Sequence, residues 1–294
     1  MVEQASWSRK LFVIFNYLFL SITAILCLAP IIHVLSISLS SMEAVASGQV
    51  TLWPVDFTLS AYEYALTKEA FSTSLFVSVK RVILGTSLQM IMIVLLAYPL
   101  SKEDNKFKFR TLYVWIVFIT VLISGGLIPY YMTIRYTGLL DSIWALVIPI
   151  SVPVFSVVLL LNFFRGLPKE LEESAFMDGA GHFTTLWSIF VPLSKPALAT
   201  LLLFSMVGHW NSWFDGLIFM NSADKYPLQS YLQTIVVNTE SEILTEAQAE
   251  MMKELSNRTF KAAQIFIGAL PILLVYPFLQ KHFMKGIVLG SVKG

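Results

Sequence analysis

Polar residues gather in a few short stretches along this chain, and six long apolar runs lie between them. The runs cover Leu11–Leu35, Val82–Leu100, Leu112–Tyr131, Ile143–Phe164, Ala197–Phe219 and Ala262–Leu279. Each is near the roughly 20 residues that an α-helix needs to cross the hydrocarbon core of a bilayer. Apolar character extends back to Phe71, so the second helix is expected to start before Val82. The pattern predicts an all-α, polytopic integral membrane protein with six transmembrane helices in one domain over 1–294. Pro99, Pro149, Pro153, Pro271 and Pro277 fall within or at the ends of the runs. Membrane helices tolerate such breaks when neighbouring helices satisfy the freed backbone groups. The first run follows Arg9-Lys10 but is too long for a signal-peptide core, and reads as a retained first helix.

Composition agrees with the pattern. The chain is 56% hydrophobic and 13% charged, against about 25% charged residues in a typical soluble domain. A net charge of +1 leaves no basic excess for a nucleic-acid partner. Cys27 is the single cysteine, so no internal disulfide forms; its apolar run suggests that it packs between helices.

Lysine and arginine placement sets the orientation. One side collects Arg9, Lys10, Lys102, Lys106, Lys108, Arg110, Arg165, Lys169, Lys195, Lys281, Lys285 and Lys293. The other holds Lys68, Arg135, Lys225, Lys253, Arg258 and Lys261. The richer side is expected to be cytoplasmic. Both termini then lie inside, and loops 36–70 and 220–261 lie outside. Within the second loop, Ile243, Ala247, Met251 and Leu255 recur every four residues, which predicts an amphipathic helix over Glu240–Lys261.

The most polar cytoplasmic stretch is 165–195. Pro168 suits a helix start. Glu170, Glu172 and Glu173 follow in the first turns, where the helix dipole favours carboxylates, and Gly179 and Gly181 can end the helix. The segment predicts a short helix of roughly three turns. Ser174, Ala175, Gly179 and Ala180 leave room on it for another surface to approach. These features alone fit equally a loop helix resting on lipid headgroups and a docking surface.

At this point the sequence resembles a family. Glu173-Ser174-Ala175, Gly179, Ile189, Val191 and Pro192 match, at the same spacing, the E-A-A-x3-G-x9-I-x-L-P motif in permease subunits of binding-protein-dependent ABC importers. Ser174 and Val191 replace Ala and Leu, mild changes in volume. The resemblance implies that Glu173, Ser174, Ala175, Phe176, Met177, Asp178, Gly179 and Ala180 form a coupling helix seated in an ATP-hydrolysing subunit. Further likeness lies in Ala97-Tyr98-Pro99-Leu100-Ser101-Lys102, in Gly208–Asp215 followed by Pro227-Leu228-Gln229, and in the tail from Lys285 to Gly294. These look like the second permease of maltose-type and acidic-polysaccharide (alginate-type) importers. In that branch the tail, here Lys285, Gly286 and Gly290, reaches the ATPase subunits.

The resemblance further implies a homologous permease as heterodimer partner, two ATP-binding subunits that hold ATP and Mg, and a periplasmic or extracellular solute-binding protein. It implies a saccharide substrate and a place in the bacterial cytoplasmic (inner) membrane, with the lipid bilayer around the chain. No cofactor or metal is expected in the chain itself. It has no phosphate loop of the form G-x-x-x-x-G-K-[ST], no H-E-x-x-H, and His33, His182, His209 and His282 are scattered.

Polar groups at membrane depth usually face a cavity or one another. His209, Trp210, Asn211, Trp213 and Asp215 are the best substrate-pathway candidates, because aromatic faces and amide or carboxylate groups suit sugar rings. An interfacial aromatic belt is the plainer reading. Lys80 and Arg81 either snorkel to the interface or neutralise an acidic saccharide. Gln89 and Asn162 read as helix packing. An ion-coupled secondary transporter would need intramembrane carboxylates, and only Asp215 qualifies. A membrane enzyme would need a clustered nucleophile and base, which the runs do not contain.

Overall fold

A computed structural model describes residues 7–123, 125–241, 258–275 and 277, with backbone only for 236–241. Every regular element among them is helical. In chain order they are α1 (Trp7–Ser38), α2 (Met42–Ala46), α3 (Ser60–Thr67), α4 (Glu69–Ser101), α5 (Arg110–Leu122), α6 (Leu127–Tyr136), α7 (Ile143–Val147), α8 (Val154–Arg165) and α9 (Lys169–Met177). Then come α10 (His182–Thr185), a π-helical turn at Leu186–Phe190, α11 (Val191–Leu193), α12 (Lys195–Asn211), α13 (Phe214–Phe219), a 3-10 turn at Ala223–Lys225, α14 (Leu228–Ser241) and α15 (Arg258–Val275).

Three of these helices are long and apolar enough to cross a membrane, α1, α4 and α15. Two bent pairs raise the number to five if each pair is one span: α5 with α6, and His182–Leu193 with α12, the latter bent by 83°. The described residues thus give three to five candidate spans where the sequence pattern predicts six. The fourth apolar run, Ile143–Phe164, is split into α7 and the 12-residue α8. Pro149 and Pro153 lie between them, and a proline supplies no N–H to an intrahelical ladder. The fifth run is likewise divided, at Ser212-Trp213.

The chain forms two compact units. The first comprises Met1–Glu69 and Ile235–Leu270. In its described part, the serines at the end of α1 hold the following loop. Ser36 Oγ donates to Leu52 O at 2.8 Å, Ser40 Oγ accepts from Val55 N at 3.0 Å, and Ser38 Oγ meets Tyr62 Oη at 2.6 Å. Ser41 caps α2 by accepting from Ala44 N. The membrane-length part of α1 buries nothing within the chain, and Cys27, expected between helices, is exposed there.

The second unit comprises Ala70–Thr234 and Pro271–Gly294. Its main core joins Ile93, Ala97, Tyr98 and Leu100 of α4, Val157, Leu160 and Phe164 of α8, Leu186 and Phe190 of the π turn, and Leu201 of α12. A smaller cluster joins Ile134, Ala145, Leu146, Phe219 and Met220. Polar side chains knit the broken helices together. Gln89 Nε2 donates to Ile150 O at 2.7 Å, in the break between α7 and α8, while Gln89 Oε1 accepts from Ser205 Oγ of α12 at 2.5 Å. This is the packing role expected for Gln89. Arg165 donates to the Leu100 and Ser101 carbonyls, capping the end of α4.

Candidate functional site

Two places in the second unit carry chemistry. The first is α9 and the turn after it. Pro168 occupies the N-cap position, and Glu170 and Glu172 fall in the first turn. The helix closes in a Schellman motif: Gly179 N–H donates to Phe176 O at 3.0 Å, Ala180 N–H donates to Ala175 O at 2.9 Å, and Gly179 takes φ +81°. The predicted helix and its glycine stop are both present. Glu173, Ser174, Met177, Asp178 and Gly179 are exposed, Phe176 and Ala180 half-buried, and Ala175 buried. Space beside Gly179 is open. Leu171, Met177, Phe183 and Trp187 add exposed apolar surface on and after the helix.

The later motif residues sit on an irregular helical turn. Val191 N–H bonds Leu186 O, five residues back, which makes the π turn; Ile189 lies inside it and Pro192 just beyond. Such one-turn π segments are rare and often occur at functional positions. The chain then bends into α12, where Ser194 N–H bonds the Phe190 and Val191 carbonyls.

Beneath α9 lies a group that sequence reasoning passed over. Glu172 forms a 3.0 Å ion pair with Lys102, and both side chains are at least nine-tenths buried. The Lys102 ammonium also stands 3.9 Å from the Tyr98 ring centroid and 4.2 Å from that of Phe190. Burial pulls the Lys102 pKa below the ordinary lysine value, against the opposing pull of Glu172. Outside this pair, an exposed one joins Lys169 of α9 to Glu103, holding the Glu103 carboxyl below its usual range. His182 Nδ1 lies 3.4 Å from Tyr98 Oη and its ring packs edge-on to Phe176. The helix start Lys169-Glu170-Leu171-Glu172-Glu173 gives no sign in sequence of which carboxylate turns inward.

The second place is the α12–α13 break. Arg81 of α4 is fully buried and makes a two-pronged ion pair with Asp215, Nη1 to Oδ1 at 3.1 Å and Nη2 to Oδ2. Its Nη1 also donates to Ser212 O at 3.2 Å. Ser212 Oγ and Gly216 N–H donate to Asp215 Oδ1, and Ser230 Oγ donates to Trp213 O. The carbonyls freed by the break are thus satisfied from neighbouring elements. His209 packs its ring on Gly85 of α4 so closely that a Cβ at residue 85 would fall within the ring's contact distance.

The predicted pathway residues therefore divide. Arg81, His209 and Trp210 are buried, and Arg81 is already neutralised. Asp215 is largely covered. Lys80, Asn211 and Trp213 are exposed, as is Phe214, which the sequence reading did not single out. Lys285, Gly286 and Gly290 of the tail lie outside the described residues, as does most of the expected helix over Glu240–Lys261. Among the described residues, no cluster of His, Cys, Asp and Glu could hold a metal ion.

Residues 1–288 match the family described as binding-protein-dependent transport system inner membrane component. The chain belongs to this family. Similar permeases include the polygalacturonan/rhamnogalacturonan transport system permease protein YtcP of Bacillus subtilis, 39% identical over 97% of this chain and 99% of that one. Protein LplC of the same organism is 38% identical over 97% and 96%. A solved bacterial ABC transporter involved in the import of the acidic polysaccharide alginate contains a chain that matches with a TM-score of 0.86 and 34% identity. The match covers 96% of this permease and 100% of that chain. The α9–π segment thus belongs to a permease of an inner-membrane ABC transport system, and ion-coupled transport is not favoured. Asp215, the carboxylate that an ion-coupled reading would have used, is already paired with Arg81.

Proposed function

We propose that this permease forms half of the translocation pathway of an ATP-driven importer for an acidic oligosaccharide or polysaccharide. The carrying observation is α9: a capped, projecting helix with exposed Glu173, Ser174, Met177, Asp178 and Gly179 beside exposed apolar side chains. That surface suits the cleft of an ATP-hydrolysing subunit. When two such subunits close on ATP, they would displace α9, and the displacement would pass to the membrane helices. Coupling of this kind needs a two-state element that both sites bias. The helix belongs to the lysine- and arginine-rich side of the sequence, which supports a cytoplasmic position for it and for both termini. The tail residues Lys285, Gly286 and Gly290 would contact the same ATPase pair.

The apolar face of α1, unburied in the chain, is available to a homologous permease and to lipid. A solute-binding protein would deliver substrate from outside. The relatives named for polygalacturonan and alginate carry polymers of sugar acids, and this supports an acidic saccharide here. Substrate would meet the accessible groups, Asn211, Trp213 and Phe214, with Lys80 as the nearest exposed cation in sequence to the buried Arg81. Arg81, His209, Trp210 and Asp215 would shape the pathway from behind. The test is uptake into vesicles holding the purified complete transporter, with neutral and uronic-acid oligosaccharides offered in parallel. ATP-dependent uptake of the acidic series is expected; uptake of the neutral series alone would overturn the substrate class.

A further inference from the structure

Only Glu172 and Ala175 of the nine residues of α9 are buried. A helix that must receive and pass on a push is therefore fastened to its own chain by one buried ion pair, Glu172 with Lys102, flanked by the exposed Lys169–Glu103 pair and the Phe176–His182 ring contact. Its partner Lys102 directly follows the last residue of α4, a 33-residue helix long enough to cross the membrane. The Lys102 ammonium is wedged between the rings of Tyr98 and Phe190, and the latter closes the π turn that leads into α12. One cation thus touches α9, α4 and the first half of the bent pair formed by His182–Leu193 and α12.

Buried ion pairs contribute little net stability, because desolvating both charges offsets their attraction. Their property is geometry: an ammonium in contact with a carboxylate has a short range over which displacement is tolerated, whereas apolar side chains slide. A cavity of about 290 Å³ lined partly by Leu95, Pro99, Phe107, His182 and Leu186 adjoins the pair. It leaves space for α10 and the end of α4 to move as the pair moves.

We propose that Lys102 and Glu172 are positioning residues that act as the strut between the coupling helix and α4, so that the pair serves transmission of motion rather than stability. The proposal rests on the reading of α9 as the ATPase-docking helix. The strut is directional: the aromatic cage accepts a cation at 102 and disfavours an anion, so exchanging the two charges does not restore it.

The test uses the complete transporter in vesicles, with Cys27→Ser and Met177→Cys as the parent, because Met177 is exposed on α9. A cross-link from residue 177 to the ATPase subunit reports docking; uptake per ATP hydrolysed reports coupling. Absence of the cross-link in the parent would overturn the docking reading, independently of the strut. With docking present, the apolar double variant Lys102→Met/Glu172→Leu is expected to assemble and cross-link as the parent does. Its uptake per ATP should fall about fivefold or more, the low end of a typical inter-site coupling. Lys102→Arg keeps both the ion pair and the ring contacts, and should stay close to the parent. Unchanged uptake per ATP in the double variant would overturn the proposal. So would loss of assembly in both the double variant and Lys102→Arg, since the pair would then be serving the fold alone.

Discussion

Arg81 offers a sharp test of how this protein carries charge inside its membrane-spanning part. Arg81→Met removes the guanidinium from a fully buried position and leaves Asp215, whose side chain is 17% exposed, without its counter-ion. Asp215 keeps its hydrogen bonds from Ser212 Oγ and Gly216 N–H, both at 2.9 Å. The Ser212 carbonyl also loses its donor. Removing one partner of a buried pair costs about 3–5 kcal/mol. The retained bonds and the residual exposure of Asp215 place Arg81→Met near the lower end. Asp215→Asn should cost more, because it leaves the charge on the partner that has no exposure at all. In the double variant Arg81→Met/Asp215→Leu no buried charge remains, and most of the loss should be recovered. At roughly 2–4 °C per kcal/mol for a chain approaching this size, the single variants should melt roughly 6–20 °C below the parent in detergent, with the double between. Lys80→Gln, at an exposed neighbouring position, serves as the control and should shift little. Additive losses, with the double variant less stable than either single one, would refute the pairing; so would an Arg81→Met protein as stable as Lys80→Gln.

Gly85→Ala drives a methyl into the His209 ring and should cost about 1–3 kcal/mol as overpacking, measured by thermal unfolding; an unshifted melting temperature would contradict the close α4–α12 approach. Gly179 holds φ +81° with open space around it, so Gly179→Ala should lose about 1–2 kcal/mol of local helix-end stability through backbone strain alone, whereas Gly179→Arg should in addition block ATP-driven uptake at normal expression. Normal uptake by Gly179→Arg would remove α9 as the docking element. The Lys225 ammonium and the Asn221 N–H hold the Asp141 carboxyl below its usual range. Asp141 therefore contributes stability fully above the ordinary carboxylate pKa, and loses it as pH falls through its depressed folded value. The melting-temperature gap between parent and Asp141→Asn should be constant from neutral pH down to the carboxylate range and shrink below it; a gap that grows on acidification would reverse the sign.

Much of the architecture was written locally in the chain. The apolar runs identify α1, α4 and α15 because a spanning helix satisfies its own backbone and needs only length and hydrophobicity. The limits of α9 were legible too, since Pro168, the early glutamates and Gly179 act within one or two turns. The motif from Glu173 to Pro192 pointed to the family without any knowledge of packing. What sequence could not decide is which polar side chains meet. Arg81 and Lys80 are adjacent, yet one is fully buried against Asp215, 134 positions away, and the other is exposed. Helical rotation separates neighbours by about 100°, and only the placement of the α12–α13 break gives one of them a carboxylate. Glu172 and Glu173 pose the same question: one turns inward to Lys102, the other outward. The splitting of the fourth and fifth runs was equally hidden. A proline or a polar pair weakens a helix locally, but whether the helix breaks depends on donors supplied from elsewhere, here Gln89, Arg81 and Ser230. Hydrophobic length is a property of a segment, whereas the pairing of buried charges and freed carbonyls belongs to the fold that brings distant segments together.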